Sequence, residues 1–277
     1  MKNIFKEKKL KLYILFLVYL IVSFILMVKH EIWADEAQAW EIAKNLSIPE
    51  IFMQMKYETH PCLWHLILAI PAKLGLPVIS MNIISFLITS IAVYIILFRS
   101  NLNILIKILI IFNPVFIYYL SAISRNYCLV LLFISFWAIL YDKREEKTIS
   151  YTIIIALLAQ THLIISGFVG ISAIMFLLEL LKKKKYKLAS ISFLILSLSF
   201  IILILQIFPI SNSIMISDKI TINRLLDMAR EVAVFFINGL DKYQSLIVLL
   251  VVLFLFTIIT FLNSKKKGII LFISVLS

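Results

Sequence analysis

A chain of 277 residues that is 62% apolar and only 15% charged, with a mean hydropathy of +1.05, carries more apolar surface than one soluble core can bury. Soluble, disordered and collagen-like classes are excluded, and two cysteines, Cys62 and Cys128, are too few and too far apart for a disulfide framework or a CxxC metal knuckle. A formal net charge of +12 would point to nucleic acid in a soluble protein, so the positions of the charges decide its meaning.

Five lysines fall within the first eleven residues, five between 182 and 187, and three at 265–267. Each cluster abuts a long apolar run. This is the positive-inside pattern of a multispanning protein in the cytoplasmic membrane, and no nucleic-acid partner is expected. Residues 30–60 hold six of the fifteen acids and are assigned to the outer side.

In chain order, the apolar run 10–28 is a retained anchor that leaves the N-terminus cytoplasmic, because it lacks a small-x-small cleavage site. The outer loop 30–60 follows. Within it Asp35 and Gln38 are spaced as a capping box, Glu36 suits the positive helix end, and Ser47, Pro49 and Glu50 start a second short helix. Residues 61–77 are interrupted by Pro61, Pro71, Gly75 and Pro77 and carry Lys73, which reads as a re-entrant or interfacial helix. Apolar runs then cover 78–98, 104–123, 127–140, 149–163, 165–181, 188–208 and 245–262, and another begins at 268.

Parity between the charged turns puts 99–107, 142–147 and 182–187 inside, and 121–127 and 161–162 outside. Asp35, His60, Arg125 and His162 therefore gather on one face. A second large outer loop, 209–242, carries Arg224, Asp227, Arg230 and Glu231 opposite Leu225, Leu226, Ala229, Val232 and Phe236 at helical spacing, as in a helix lying on a membrane surface. The expectation is an all-α polytopic membrane protein, a single transmembrane domain over 1–277. It would have about eight spanning helices, amphipathic juxtamembrane helices and a partial last span.

On physics alone, Asp35 and Glu36 read equally well as helix-start residues. The stretch Asp35-Glu36-Ala37-Gln38-Ala39-Trp40, followed by Tyr57-Glu58-Thr59-His60-Pro61-Cys62-Leu63-Trp64, also resembles the Asp-Glu and Glu-x-His-Pro-Pro-Leu-Trp signatures of multispanning glycosyltransferases of the C superfamily. These include family 39 protein O-mannosyltransferases and the lipid A aminoarabinose transferases. The resemblance extends from the anchor to about His162, with Cys62 where the family pattern has a second proline. It implies inverting transfer of a sugar from a polyprenyl-phosphate carrier to a lipid, glycan or protein acceptor at the outer face.

It further implies that Asp35 is the general base, with Glu36 assisting. Glu58 and His60 would line the same pocket. Tyr118 to Tyr127 resembles the second external loop of the superfamily, which makes Arg125 the group that grips the lipid phosphate, with Tyr127 beside it; guanidinium suits bidentate phosphate binding. His162 would touch phosphate at the third turn. A divalent ion fits the chemistry of the acids and histidines, but no metal-ligand spacing is visible and none is assigned. Relatives are usually longer, so the C-terminal part of the family is expected to be missing. A transporter, or a non-catalytic subunit that binds lipid or a partner, is the competing reading; acids and histidines in outer loops, without an inverted repeat, argue for surface chemistry.

Overall fold

A computed structural model of the chain describes residues 2–58 and 60–207, with side chains from residue 9 onward. The outer loop expected at 209–242, its surface helix and the apolar runs after it lie outside the described residues. All elements described are helical: α1 Lys2–Lys29, α2 Ala34–Asn45, α3 Ile48–Gln54, α4 Leu63–Lys73, α5 Ile79–Arg99, α6 Ile104–Ile111, a π-helical segment Val115–Tyr119, α7 Tyr127–Tyr141, α8 Thr148–Ala159, a 3₁₀ turn Leu163–Ile165, α9 Ser166–Lys182 and α10 Tyr186–Ile207.

Among the described residues, four stretches are long and apolar enough to cross a membrane: Lys9–Lys29, Ile79–Arg99, Leu163–Lys182 and Tyr186–Ile207. Three shorter apolar helices, α4, α7 and α8, accompany them. The run expected at 104–123 is not one straight helix. It ends as α-helix at Ile111, passes Asn113 and Pro114, and continues with i to i+5 bonds from Leu120 N to Val115 O (3.0 Å) and Ile123 N to Tyr118 O (3.1 Å). Pro114 lacks the amide that α-helix would need there, so the ladder resets in a wider coil.

Helix pairing follows the spacing of small and polar residues. On α10 the buried positions are Ala189, Ser192, Leu196, Ser199, Leu203 and Gln206, an unbroken alternation of three and four that makes a narrow seam against α8. Small side chains on that seam allow close approach and interhelical hydrogen bonds. Thr152 and Ser192 hydroxyls lie 2.8 Å apart, and Ser199 Oγ donates to Ala156 O at 2.8 Å. Residues on the other faces, such as Phe193, Leu194 and Ile201, remain exposed. α1 packs on α5 in the same manner, burying Tyr19, Ser23 and Met27 at four-residue spacing.

The charged turns that parity groups together are in contact. Arg144 forks onto Glu179 at 2.8 and 3.0 Å, and Lys183 meets Glu145, so the turn after α7 is tied to the end of α9. Lys107 is buried because its ammonium satisfies the last carbonyls of α5, Leu97 O at 2.7 Å and Ser100 O at 3.1 Å.

Two helices end in the same hydrogen-bond motif with different residues at its strained position. After α4, Leu76 N bonds Pro71 O and Gly75 N bonds Ala72 O, with Gly75 at φ +76. After α9, Lys185 N bonds Leu180 O and Lys184 N bonds Leu181 O, with Lys184 at φ 57. A left-handed residue with a Cβ pays a steric penalty that glycine avoids. Lys184→Gly is therefore expected to stabilise the chain by about 0.5–1 kcal/mol, read as a higher thermal midpoint in detergent; Lys183→Gly, one residue earlier, should lower it.

Candidate functional site

The first loop is organised by Glu36, not by Asp35. α2 begins two residues earlier than the Asp35–Gln38 spacing suggests, with Trp33 as N-cap, so Glu36 occupies the third helical position and its carboxylate reaches back to Trp33 N at 2.8 Å. The second expected start is found: Ser47 N donates to Glu50 at 2.7 Å, with Pro49 in the first turn. Glu36 is wholly buried. Its Oε2 also lies 2.6 Å from His30 Nε2, and its Oε1 accepts Ser124 N at 2.6 Å. His30 is held in turn by the Tyr118 hydroxyl, 3.3 Å from Nδ1. One carboxylate thus fastens the end of α1, the start of α2 and the turn before α7.

With α2 begun at Ala34, Asp35 falls in its first turn and faces outward. Its side chain is 57% exposed and accepts a hydrogen bond from Arg125 Nη1 at 2.5 Å, across 90 positions of sequence. Arg125 also lies over the Tyr127 ring, 5.5 Å from its centroid, and Tyr127 stacks on His162 at 5.1 Å with planes 15° apart. His162 is 5.9 Å from His60, and His60 is 5.8 Å from His65. Glu58 is half-buried and accepts Gln38 Nε2 at 2.9 Å. The residues picked from sequence are therefore neighbours at one end of the bundle: Asp35, Arg125, Tyr127, His162 and His60 in a chain of contacts, Glu36 beneath them, and Glu58 at the rim.

Burial sets the charge state of this cluster. Removal from water pushes His60 down to about 4, assisted by His162 and Arg125. His162 is lowered for the same first reason, with Arg125 second, and its Nδ1 accepts Ile164 N at 3.0 Å, which leaves the proton on Nε2. Glu58 is raised by partial burial, opposed by Gln54 and Arg125 and reinforced by Asp35. His60 and His162 are therefore neutral hydrogen-bonding groups at neutral pH.

Two residues matter here that the sequence reading passed over. Gln206, at the end of α10, accepts Cys62 N at 2.7 Å and donates to Gln160 Oε1 at 3.0 Å, joining the first loop to the end of α8. Asn126 Nδ2 donates to Thr161 O at 2.8 Å and ties the second turn to the third. A long amide side chain closing a seam of small and apolar residues is the signal that could have found Gln206.

Several polar atoms in this region are buried without a protein partner among the described residues: His60 Nδ1, Trp64 Nε1, Asn82 Oδ1 and Nδ2, Ser124 Oγ and Asn126 Oδ1. Such atoms are rare in folded proteins. The chain 120–124 rises along α5, since Thr89 Oγ1 donates to Leu120 O at 3.0 Å and Ser85 Oγ to Ser121 O at 3.5 Å, and the next polar position up that face is Asn82. Among the described residues, no group of three or more His, Cys, Asp or Glu is disposed to hold a metal ion.

Replacing Glu36 by alanine orphans His30, the buried Ser124 amide and the part-buried Trp33 amide, and is expected to cost about 3 kcal/mol, whereas Asp35→Ala removes an exposed pair worth about 0.2–1 kcal/mol. Chemical denaturation of the two variants in micelles checks the contrast. A second expectation concerns acid. The folded-state value of His60 lies below its unfolded value of 6.5, so the stability it contributes is complete above that value and is lost as pH falls toward 4. His60→Gln should flatten the decline of the thermal midpoint between those pH values; an unchanged slope would show that His60 does not report burial.

Compared with known proteins, the chain matches no family model, no curated protein and no solved structure.

Proposed function

We propose that the chain is a polytopic, inverting glycosyltransferase of the cytoplasmic membrane that moves a sugar from a polyprenyl-phosphate carrier to an acceptor at the outer face. The observation that carries the reading is the contact of Asp35 with Arg125, because it joins a solvent-accessible carboxylate to the cation best suited to phosphate. Transfer from a phosphate leaving group needs a base for the acceptor and positive charge for the departing phosphate, and little acid help.

In the absence of substrate the two groups satisfy each other. A lipid phosphate, which has a bidentate match to guanidinium and gains charge as the sugar departs, would take Arg125 and release Asp35 to accept the acceptor's proton. Glu36 then serves as the post that fixes both loops. The unpartnered donors and acceptors on Asn82, Ser124, Asn126, Trp64 and His60 suit a polyhydroxylated group, since hydroxyls both donate and accept. About eight spans, with the N-terminus inside, would put this end of the bundle outside, as the lysine clusters require.

The second reading is a non-catalytic subunit, and the same ion pair favours it, since a bond between two loops fastens them whether or not chemistry follows. Both readings meet in one experiment. Membranes with the parent chain, Asp35→Asn and Arg125→Lys at matched abundance are assayed for transfer from a panel of polyprenyl-phosphate sugars. The transferase reading expects Asp35→Asn to lose about 10²–10⁴-fold in turnover without a change in thermal midpoint, and Arg125→Lys to raise the KM for the donor. Equal transfer by parent and Asp35→Asn would leave Asp35 as a loop fastener, and no transfer by any chain would favour the non-catalytic subunit.

A further inference from the structure

The opposite face of α2 from Asp35 borders a groove of about 540 Å³ between α2, the end of α4 and the turn into α5. Its volume falls within the range of small-ligand sites. Trp40, Ala72, Leu76 and Val78 make an apolar lining, and Glu41 and Lys44 stand at its edge on α2. Both charged side chains are exposed and neither is in an ion pair among the described residues; Glu41 accepts only Asn45 Nδ2, at 2.7 Å.

The groove ends where a span begins. Val78 is followed directly by α5, one of the four helices long enough to cross a membrane. Along α5, Ile79, Ile83, Leu87 and Ile91 are exposed at four-residue spacing, opposite the buried Met81, Ser85 and Thr89. That apolar stripe is about 18 Å long at 1.5 Å per residue, close to half the thickness of a bilayer with its interface. A headgroup-sized groove with one negative and one positive edge residue therefore continues into a track of acyl-chain length.

We propose that this groove is a binding site for a zwitterionic aminophospholipid, with its phosphate on Lys44, its primary ammonium on Glu41 and one acyl chain along Ile79, Ile83, Leu87 and Ile91. The pairing of charges selects the class. An anionic glycerophospholipid would satisfy Lys44 but offer Glu41 only neutral hydroxyls, and a quaternary ammonium has no N–H to donate to the carboxylate. The site is separate from the Asp35 cluster and does not rest on the transferase reading.

The test uses the full chain in mild detergent, supplied in turn with phosphatidylethanolamine, phosphatidylglycerol and phosphatidylcholine of identical acyl chains, with retained lipid measured by native mass spectrometry. The parent is expected to retain the ethanolamine lipid about five- to tenfold better than either competitor, the scale of one net hydrogen bond exposed to solvent. Ala37→Trp, at an exposed position lining the groove, should abolish that preference by filling it. Glu41→Gln, at an exposed position that folding does not depend on, should shift preference toward the glycerol lipid, and Lys44→Gln should weaken both. Equal retention of the three lipids by the parent, no retention at all, or an ethanolamine preference unchanged in Glu41→Gln would each overturn the proposal.

Discussion

A carboxylate with no access to water must be fully bonded or it unfolds what surrounds it, and Glu36 is such a carboxylate. Its donors come from three places in the chain: the His30 imidazole, the Trp33 amide and the Ser124 amide. Meeting that demand draws the first loop onto the turn before α7 and fixes the phase of α2. Once the phase is set, Asp35 can point only outward, and Arg125, one residue past Ser124, arrives beside it. The acid that is visible and the acid that holds the site together are adjacent in sequence and opposite in environment.

The rest of the polar end is knitted by amides and amide side chains. Gln206 and Asn126 lock the first loop, the second turn and the third turn to one another without placing another charge there. Neutral histidines fill the space between. Glu36 is buried and held by its three donors, Glu58 stands at the rim, and the exposed Asp35–Arg125 pair is the part open to a charged ligand. At the other end of the bundle the logic is reversed, with exposed ion pairs among Glu145, Glu179 and Lys183 holding turns that solvent also stabilises.

Much of this was legible in the sequence because membrane helices write their constraints in simple terms. Lysine clusters beside apolar runs sort the turns into two groups, and turns sorted together do touch, as Arg144 with Glu179 and Arg125 with Asp35 show. The three–four alternation on α10 is readable as a seam. Proline and glycine at 71, 75 and 77 announce a short α4. What escaped depended on three-dimensional accounting. Capping rules favour Asp over Trp at a helix start, so the preference for Asp35 was reasonable; the burial of Glu36 overrode it by making the third helical position the valuable one. The break at Pro114 was equally hidden, since hydropathy does not distinguish one coil radius from another.

That wider coil has its own consequence. Each residue of an α-helix advances the chain by about 100° around its axis, and a π turn accommodates one residue more than the α ladder would between the same two ends. Val115–Tyr119 therefore acts as a phase adjuster: Tyr118 within it reaches His30, and Ser124 after it brings its amide to Glu36, at azimuths that a regular helix of this length would miss. A chain shortened by a single residue there would regain an ordinary helix and rotate the following turn away from the first loop. In a lineage of such proteins, the length of this segment would be held as tightly as the identity of any side chain in the site, although none of its five residues carries a charge.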